Sequence, residues 1–231
     1  VRHVFQAVDE AFDSTRVHSP TLEGRLDLAM SYTVAGYFLP PLLAQFQRRY
    51  PGVTVRLHEA SRPTIQAGLL GGRFDLAIML ISNLEPGAPL AQHLLIRSPR
   101  RLWVASHHPL HGRRDVGLAD VAREPYIMLN VDEAEQTALR YWAPSGLGPQ
   151  TLFSTSSVEA VRSLVASGSG VSILSDMVYR PWSLEGRRIE HIDLADPIPT
   201  MDVGFAWDRK RALSPPAQAF RDALIEAMAA G

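Results

Sequence analysis

The chain has 231 residues, with 23 Lys plus Arg against 24 Asp plus Glu, a formal net charge of −1 and no cysteine. That length holds one large or two small domains with real cores, while the balanced charge leaves no overall electrostatic footprint for gripping nucleic acid. Without cysteine, thiolate catalysis, disulfides and Cys-ligated zinc are excluded.

No apolar run approaches the roughly 18 residues of a membrane span. The first residues also lack the basic, apolar and small-residue order of a secretory leader. A soluble, cytoplasmic protein is expected. The sequence begins with Val1 and not Met, so an upstream portion is expected as well. Val1, Val4, Phe5, Val8 and Phe12 form a helical stripe that a lone helix cannot bury. The polar, proline-containing "DSTRVHSPTLEG" follows it. Residues 1–20 are expected to be the end of a linker helix and its linker.

The body opens with strand "GRLDLAM" and a helix carrying Leu39, Leu42, Leu43, Phe46 and Tyr50 on one face. Pro40 and Pro41 fit the first turn of that helix, and Pro51-Gly52 ends it. In "VTVRLHEA", Val53, Val55 and Leu57 alternate with polar residues, which predicts a strand with one buried face. Helix "PTIQAGLLGG" and strand "FDLAIML" follow. Pro99 divides the strand-like "HLLIRSPRRLWVAS".

A second series then runs "YIMLN", helix "DEAEQTALRYW", "TLFS", helix "SVEAVRSLVASGSG", "VSILS" and "RIEHIDL". Strand "VGFAW" and a helix from Ser214-Pro215, striped by Ala217, Phe220, Leu224 and Met228, close the chain. Strands separated by helices of this length predict right-handed crossovers and parallel sheet. The expected architecture is α/β, with two similar Rossmann-like lobes. One comprises residues 21–97 and 198–231, and the other residues 98–197.

Ligands of such lobes bind outside the carboxyl ends of the strands. The turns there are Ser31-Tyr32-Thr33, Ser61-Arg62, Asn130-Val131 and Ser156-Ser157. Each precedes a helix, whose free amides and dipole favour an anion or a polar oxygen. Helix capping is the plainer role for any one hydroxyl, and Ser156 with Glu159 reads as a capping box. Arg62 is the only cation among these turns and the candidate partner for a carboxylate or sulfonate.

Enzyme signatures fail in turn: there is no G-x-S-x-G elbow, no H-E-x-x-H and no Walker A loop. "GSGVSI" starts like a dinucleotide loop, but Ile173 replaces the third glycine and a strand follows, so it reads as a helix C-cap. His107, His108 and His111 lack a spaced acidic or histidine partner for a metal. The expectation is a binding module, with no catalytic residue, metal or cofactor.

"GRLDLAM…YFLPPLLAQFQRRYPGVTVRLHEA…LLGGRFDLAIM" closely resembles the effector-binding domain of LysR-type transcriptional regulators. "HHPL" and "SSVEAVRSLVASGSGVSILS" fit the same family. The resemblance implies a type-2 periplasmic-binding-protein fold, with two lobes, two crossovers and a small-molecule effector cleft between them. It also implies a winged helix-turn-helix upstream of this chain, which would supply all DNA contact. Carried over residue by residue, it places the effector at Tyr32-Thr33, Ser61-Arg62, Asn130-Val131 and Ser156-Ser157.

The family further implies pairing into a homodimer through the outer face of the Leu39–Tyr50 helix, here Leu42, Gln45, Phe46 and Arg49, and a homotetramer at full length. Many relatives carry Thr or Ser where this chain has Arg62, and a smaller residue than Tyr32. The competing expectation is a transporter's solute-binding protein of the same fold.

Overall fold

The computed structural model describes residues 22–229; the expected helix at Val1–Phe12 and its linker lie outside them. The described chain divides into two compact units, residues 22–97 with 202–229, and residues 98–201. The second boundary lies at 201/202, where the sequence suggested 197/198. Residues 194–200 stay with unit 2 because they are tied there. Ala195 N donates to Val116 O, Leu118 N to Asp196 Oδ2, and the Arg100 guanidinium to Pro199 O.

Unit 1 is built on a five-stranded sheet in the order β2-β1-β3-β10-β4. Its strands are β1 (Gly24–Met30), β2 (Val53–Glu59), β3 (Leu76–Leu80), β4 (Leu90–Ser98) and β10 (Met201–Asp208). β1 pairs in parallel with both β2 and β3, and β10 runs antiparallel to β3. Leu26, Leu28, Leu76 and Ile78 are fully buried, as expected of strands covered on both faces.

β2 departs from the expected alternation. Val53 is buried, but Leu57 is 49% exposed, because β2 is an edge strand with no neighbour on its outer side.

Short helix α1 (Tyr32–Tyr37) precedes α2 (Leu39–Arg49), where one helix was expected. Pro41 has no amide to donate to Tyr37 O, and its ring crowds that carbonyl. The chain therefore breaks at Phe38, which has φ −120° and ψ −51°. It is α1, and not the proline-led α2, that follows directly on β1.

Within a single chain, most of the expected dimer face is already covered. Leu42, Gln45 and Phe46 are 1%, 7% and 2% exposed within a single chain. They pack on α7 (Pro215–Ala229), where the Phe46 and Phe220 rings meet edge-on at 4.8 Å. Arg49 Nη1 pairs with Glu226 Oε2 at 3.0 Å along the same seam. Pro40, Ala44, Gln47 and Arg48 are the residues that α2 exposes. The 3.6-residue stripe was legible, but not which helix covers it.

His58 and Asp27 form a cross-strand pair, with Nε2 2.9 Å from Oδ1, and Arg25 Nε lies 2.8 Å from Asp27 Oδ2. The hydrogen bond from His58, supported by the Arg25 charge, outweighs burial and holds the Asp27 carboxyl below the usual carboxylate value. Its stabilisation is complete above the unfolded carboxylate pKa and is lost as pH falls through the depressed folded value. In urea titrations from about pH 6 to about pH 3, the stability gap between wild type and Asp27→Asn should close at the acid end. A gap constant across that range would assign the effect to packing.

Unit 2 was expected to repeat a parallel series and does so only in part. β5 (Arg100–Ala105) lies antiparallel between β8 (Ser172–Ser175) and β9 (Ile189–Ile192). Among the described residues of unit 2, β6 (Pro125–Leu129) and β7 (Gln150–Thr155) form the one parallel ladder, and Tyr126 makes a further parallel bridge to Val171. Helices α4 (Leu118–Val121), α5 (Ala134–Trp142) and α6 (Val158–Ala166) complete the unit among the described residues. Tyr126, Trp142, Val104 and Val171 lie in its core, and burial pushes the Tyr126 phenol above its usual range.

Candidate functional site

In unit 1, β1 and β2 end in register, Met30 opposite Glu59, and Ala60 N donates to Met30 O at 3.0 Å. Ser31 and Ser61 therefore leave the sheet side by side. The sequence treated their turns separately, and the parallel pairing joins them.

Ser31 caps α1 through its backbone, with Ala35 N donating to Ser31 O. Its hydroxyl makes no capping bond and is buried without a hydrogen-bond partner. A polar group reaching this turn would find the hydroxyl able to donate or accept a hydrogen bond. Tyr32 is 37% exposed and Thr33 is buried in the same turn.

Ser61 is the N-cap of α3 (Arg62–Leu70), and its Oγ lies 3.0 Å from Thr64 Oγ1. Arg62 is half-buried, and its Nη1 donates to Gln66 Oε1 at 3.4 Å. Arg62 is the first residue of α3, directly after the Ser61 N-cap at the carboxyl edge of the sheet.

In unit 2 the same construction recurs on β6 and β7. Leu129 faces Thr155, and Asn130 N donates to Thr155 O at 3.0 Å, bringing Asn130 beside Ser156. Ser157, not Ser156, caps α6: its Oγ accepts from Ala160 N at 3.1 Å. Glu159, assigned to a capping box with Ser156, instead binds Arg162 at 3.0 Å. Ser156 is left exposed and Val131 half-buried.

Beyond Val131, Asp132 and Glu133 take left-handed φ values of 50° and 57°. Two successive side-chain-bearing residues in that region are strained, and such strain gathers at functional turns. Sequence reasoning missed this feature. The one available signal was Asp132 itself, since Asp tolerates the left-handed region better than most residues.

Other motifs resolve into structural roles. Gly168 has φ 80°, and Ser169 N donates to Leu164 O, so "GSG" closes α6. His108 Nδ1 accepts from Leu110 N at 3.2 Å and its Nε2 lies 3.6 Å from Glu124 Oε2.

Residues 20–229 match the LysR substrate binding domain family. The chain belongs to this family. It is 26% identical over 204 residues to the uncharacterized HTH-type transcriptional regulator YybE of Bacillus subtilis, covering 88% of this chain and 68% of YybE. The crystal structure of HinK, a LysR family transcriptional regulator from Pseudomonas aeruginosa, superposes with a TM-score of 0.81 at 28% identity. It covers 98% of this chain and 77% of that one.

The effector binding domain of QuiR in complex with shikimate shares the fold, with a TM-score of 0.73 at 22% identity, covering 89% of this chain and 97% of that one. The chain spans from 54% to 68% of the length of the curated relatives YybE and CysL of Bacillus subtilis. As a LysR substrate binding domain it is the effector-sensing part of a transcriptional regulator.

Proposed function

We propose that this LysR effector domain binds a small organic anion through the strand-end turns described above, and that occupancy changes how the longer regulator engages DNA in the cytoplasm. It acts as a binding module and not as an enzyme. The observation that carries the reading is the unpaired, buried Ser31 hydroxyl beside Ser61 and Arg62 at the end of two adjacent parallel strands. Hydroxyls and one guanidinium at the amino end of α3 suit a carboxylate. The exposed Tyr32 ring suits a cyclic body attached to it. Shikimate, the ligand in the QuiR complex, is a cyclic carboxylate and a reasonable first probe. Asn130, Val131, Ser156 and Ser157 make up the corresponding polar turns of unit 2.

The test is thermal-shift screening of carboxylates, sulfonates, sugars and amines, followed by calorimetry on the best hit. A desolvated ion pair with Arg62 predicts that Arg62→Ala weakens binding by about 2–5 kcal/mol; a solvent-exposed pair would be worth under about 1 kcal/mol. Hits confined to cations or neutral sugars, or an Arg62→Ala variant that binds the best anion as well as wild type, would defeat the proposal.

The domain also pairs with a second copy of itself in this reading, and full-length chains assemble into tetramers. With Leu42, Gln45 and Phe46 packed on α7, the exposed apolar groups of two edge strands are the ones we assign to pairing. Leu57 on β2 is 49% exposed, and Leu152 and Phe153 on β7 are 61% and 49% exposed. Adjacent strand residues point to opposite faces, so β7 is open on both. A two-fold contact meets each substitution twice, so Leu152→Glu with Phe153→Glu should convert a sedimenting dimer to monomer. A dimer that survives both changes would place the interface elsewhere.

A further inference from the structure

The chain's overall neutrality conceals one local excess of charge. "RKR" at Arg209-Lys210-Arg211 is the only run of three cations in the sequence. It occupies the turn between β10 and α7, with all three residues exposed. Arg73, also exposed, lies in the turn between α3 and β3.

The two turns are in contact. A Cβ built on Gly72 would stand only 2.2 Å from Arg211 Nη1, so the guanidinium rests on the bare glycine, whose φ of 72° also disfavours any side chain. The four cations thus share one patch. Among the described residues none of the four has a carboxylate within ion-pairing distance. Arg209 Nη2 donates to Leu90 O, and the Arg73 guanidinium stands 5.0 Å over the Phe74 ring. Of the neighbouring carboxylates, Asp208 Oδ1 accepts from the backbone N of Lys210 within the turn, Asp75 Oδ2 accepts from Asp27 N, and Asp27 holds His58 and Arg25.

We infer that this patch is a docking surface for the phosphate backbone of duplex DNA, read without regard to base sequence. Unpaired arginines and a lysine are the groups that displace counterions from phosphates. The patch lies at the amino end of the parallel strands, opposite the turns assigned to the effector. Residues 22 and 23 enter the sheet at that same end, against Gly52. The inference does not depend on the effector reading, because no residue is shared between the two sites.

The experiment titrates this chain against a labelled mixed-sequence duplex by fluorescence anisotropy at several low salt concentrations. Weak binding with a log–log salt slope of about −3 to −4 is expected from four phosphate contacts. Replacing Arg209, Lys210 and Arg211 by Gln together should cost at least about tenfold and remove most of that slope. The same charge change at Arg114, Arg140 and Arg187 of unit 2 should leave binding unchanged, and circular dichroism melts confirm that both variants fold. Absence of binding at low salt would overturn the inference. So would equal loss in the control variant, or competition by polyglutamate as strong as that by unlabelled duplex, which would indicate an acidic protein partner.

Discussion

Replacing Arg162 with Met should destabilise unit 2 by about 3–5 kcal/mol, the range for breaking a buried charged network. The residue is 1% exposed, and an arginine so placed must have its donors satisfied. Nε and Nη2 bind the Glu159 carboxylate, Nη2 also donates to Val178 O, and Nη1 donates to Arg180 O, each at 2.9–3.2 Å. The guanidinium lies 5.4 Å from the buried Trp103 ring.

One side chain on α6 thereby fixes the segment after β8, whose carbonyls have no strand partner. Met fills much of the space but removes the donors to the Val178 and Arg180 carbonyls, and the buried Val178 acceptor carries a penalty when left unsatisfied. Lys should rescue little, because a single ammonium cannot reproduce the planar fork. Urea unfolding followed by tryptophan fluorescence reads the change, since Trp103, Trp142 and Trp182 all lie in unit 2. A midpoint within about 1 kcal/mol of wild type would mean that water replaces the lost donors and that the network does not hold the segment.

Arg162 shows where sequence reading stops. Within "SSVEAVRSLVASGSG" the helix, its cap region and its closing glycine were legible from period and turn chemistry. Nothing in that period distinguishes a solvated arginine from a buried one, because its partners are carbonyls 16 and 18 residues further along the chain. The capping assignment failed for a related reason. Ser156 and Ser157 are chemically equal candidates, and the choice of Ser157 follows from where β7 ends, a boundary that composition does not mark.

At the candidate site the turns themselves could be read, because each lies between a strand pattern and a helix pattern. Their pairing into Ser31 with Ser61, and Asn130 with Ser156, needed strand order. The left-handed Asp132 and Glu133 needed backbone angles. The antiparallel setting of β5 was likewise invisible, since a buried apolar strand reads the same in either direction.

The face of α2 offers the second large effect. Phe220→Ala should cost about 3–5 kcal/mol, as truncation of a buried phenylalanine leaves a cavity that its neighbours fill only partly. Phe220 is fully buried in unit 1, edge-on to Phe46 at 4.8 Å and to Phe205 at 6.3 Å, so one ring joins α2, α7 and β10. Gln45 lines the same seam beside Ala223, Leu224 and Ala227. Gln45→Asp should therefore destabilise unit 1 by burying a carboxylate among apolar groups.

Gln47, two positions along, is exposed, so Gln47→Asp should leave thermal stability within about 0.5 kcal/mol of wild type. The pair separates two readings of one helix. If α2 used its Gln45 face to meet a second copy, Gln45→Asp would shift sedimentation at unchanged monomer stability. If α7 covers that face, the same change lowers the unfolding midpoint at every protein concentration, and Phe220→Ala lowers it further in the same unit. Thermal unfolding of the three variants at two widely spaced concentrations decides between them. A Gln45→Asp protein as stable as Gln47→Asp would show that the seam with α7 is open to water.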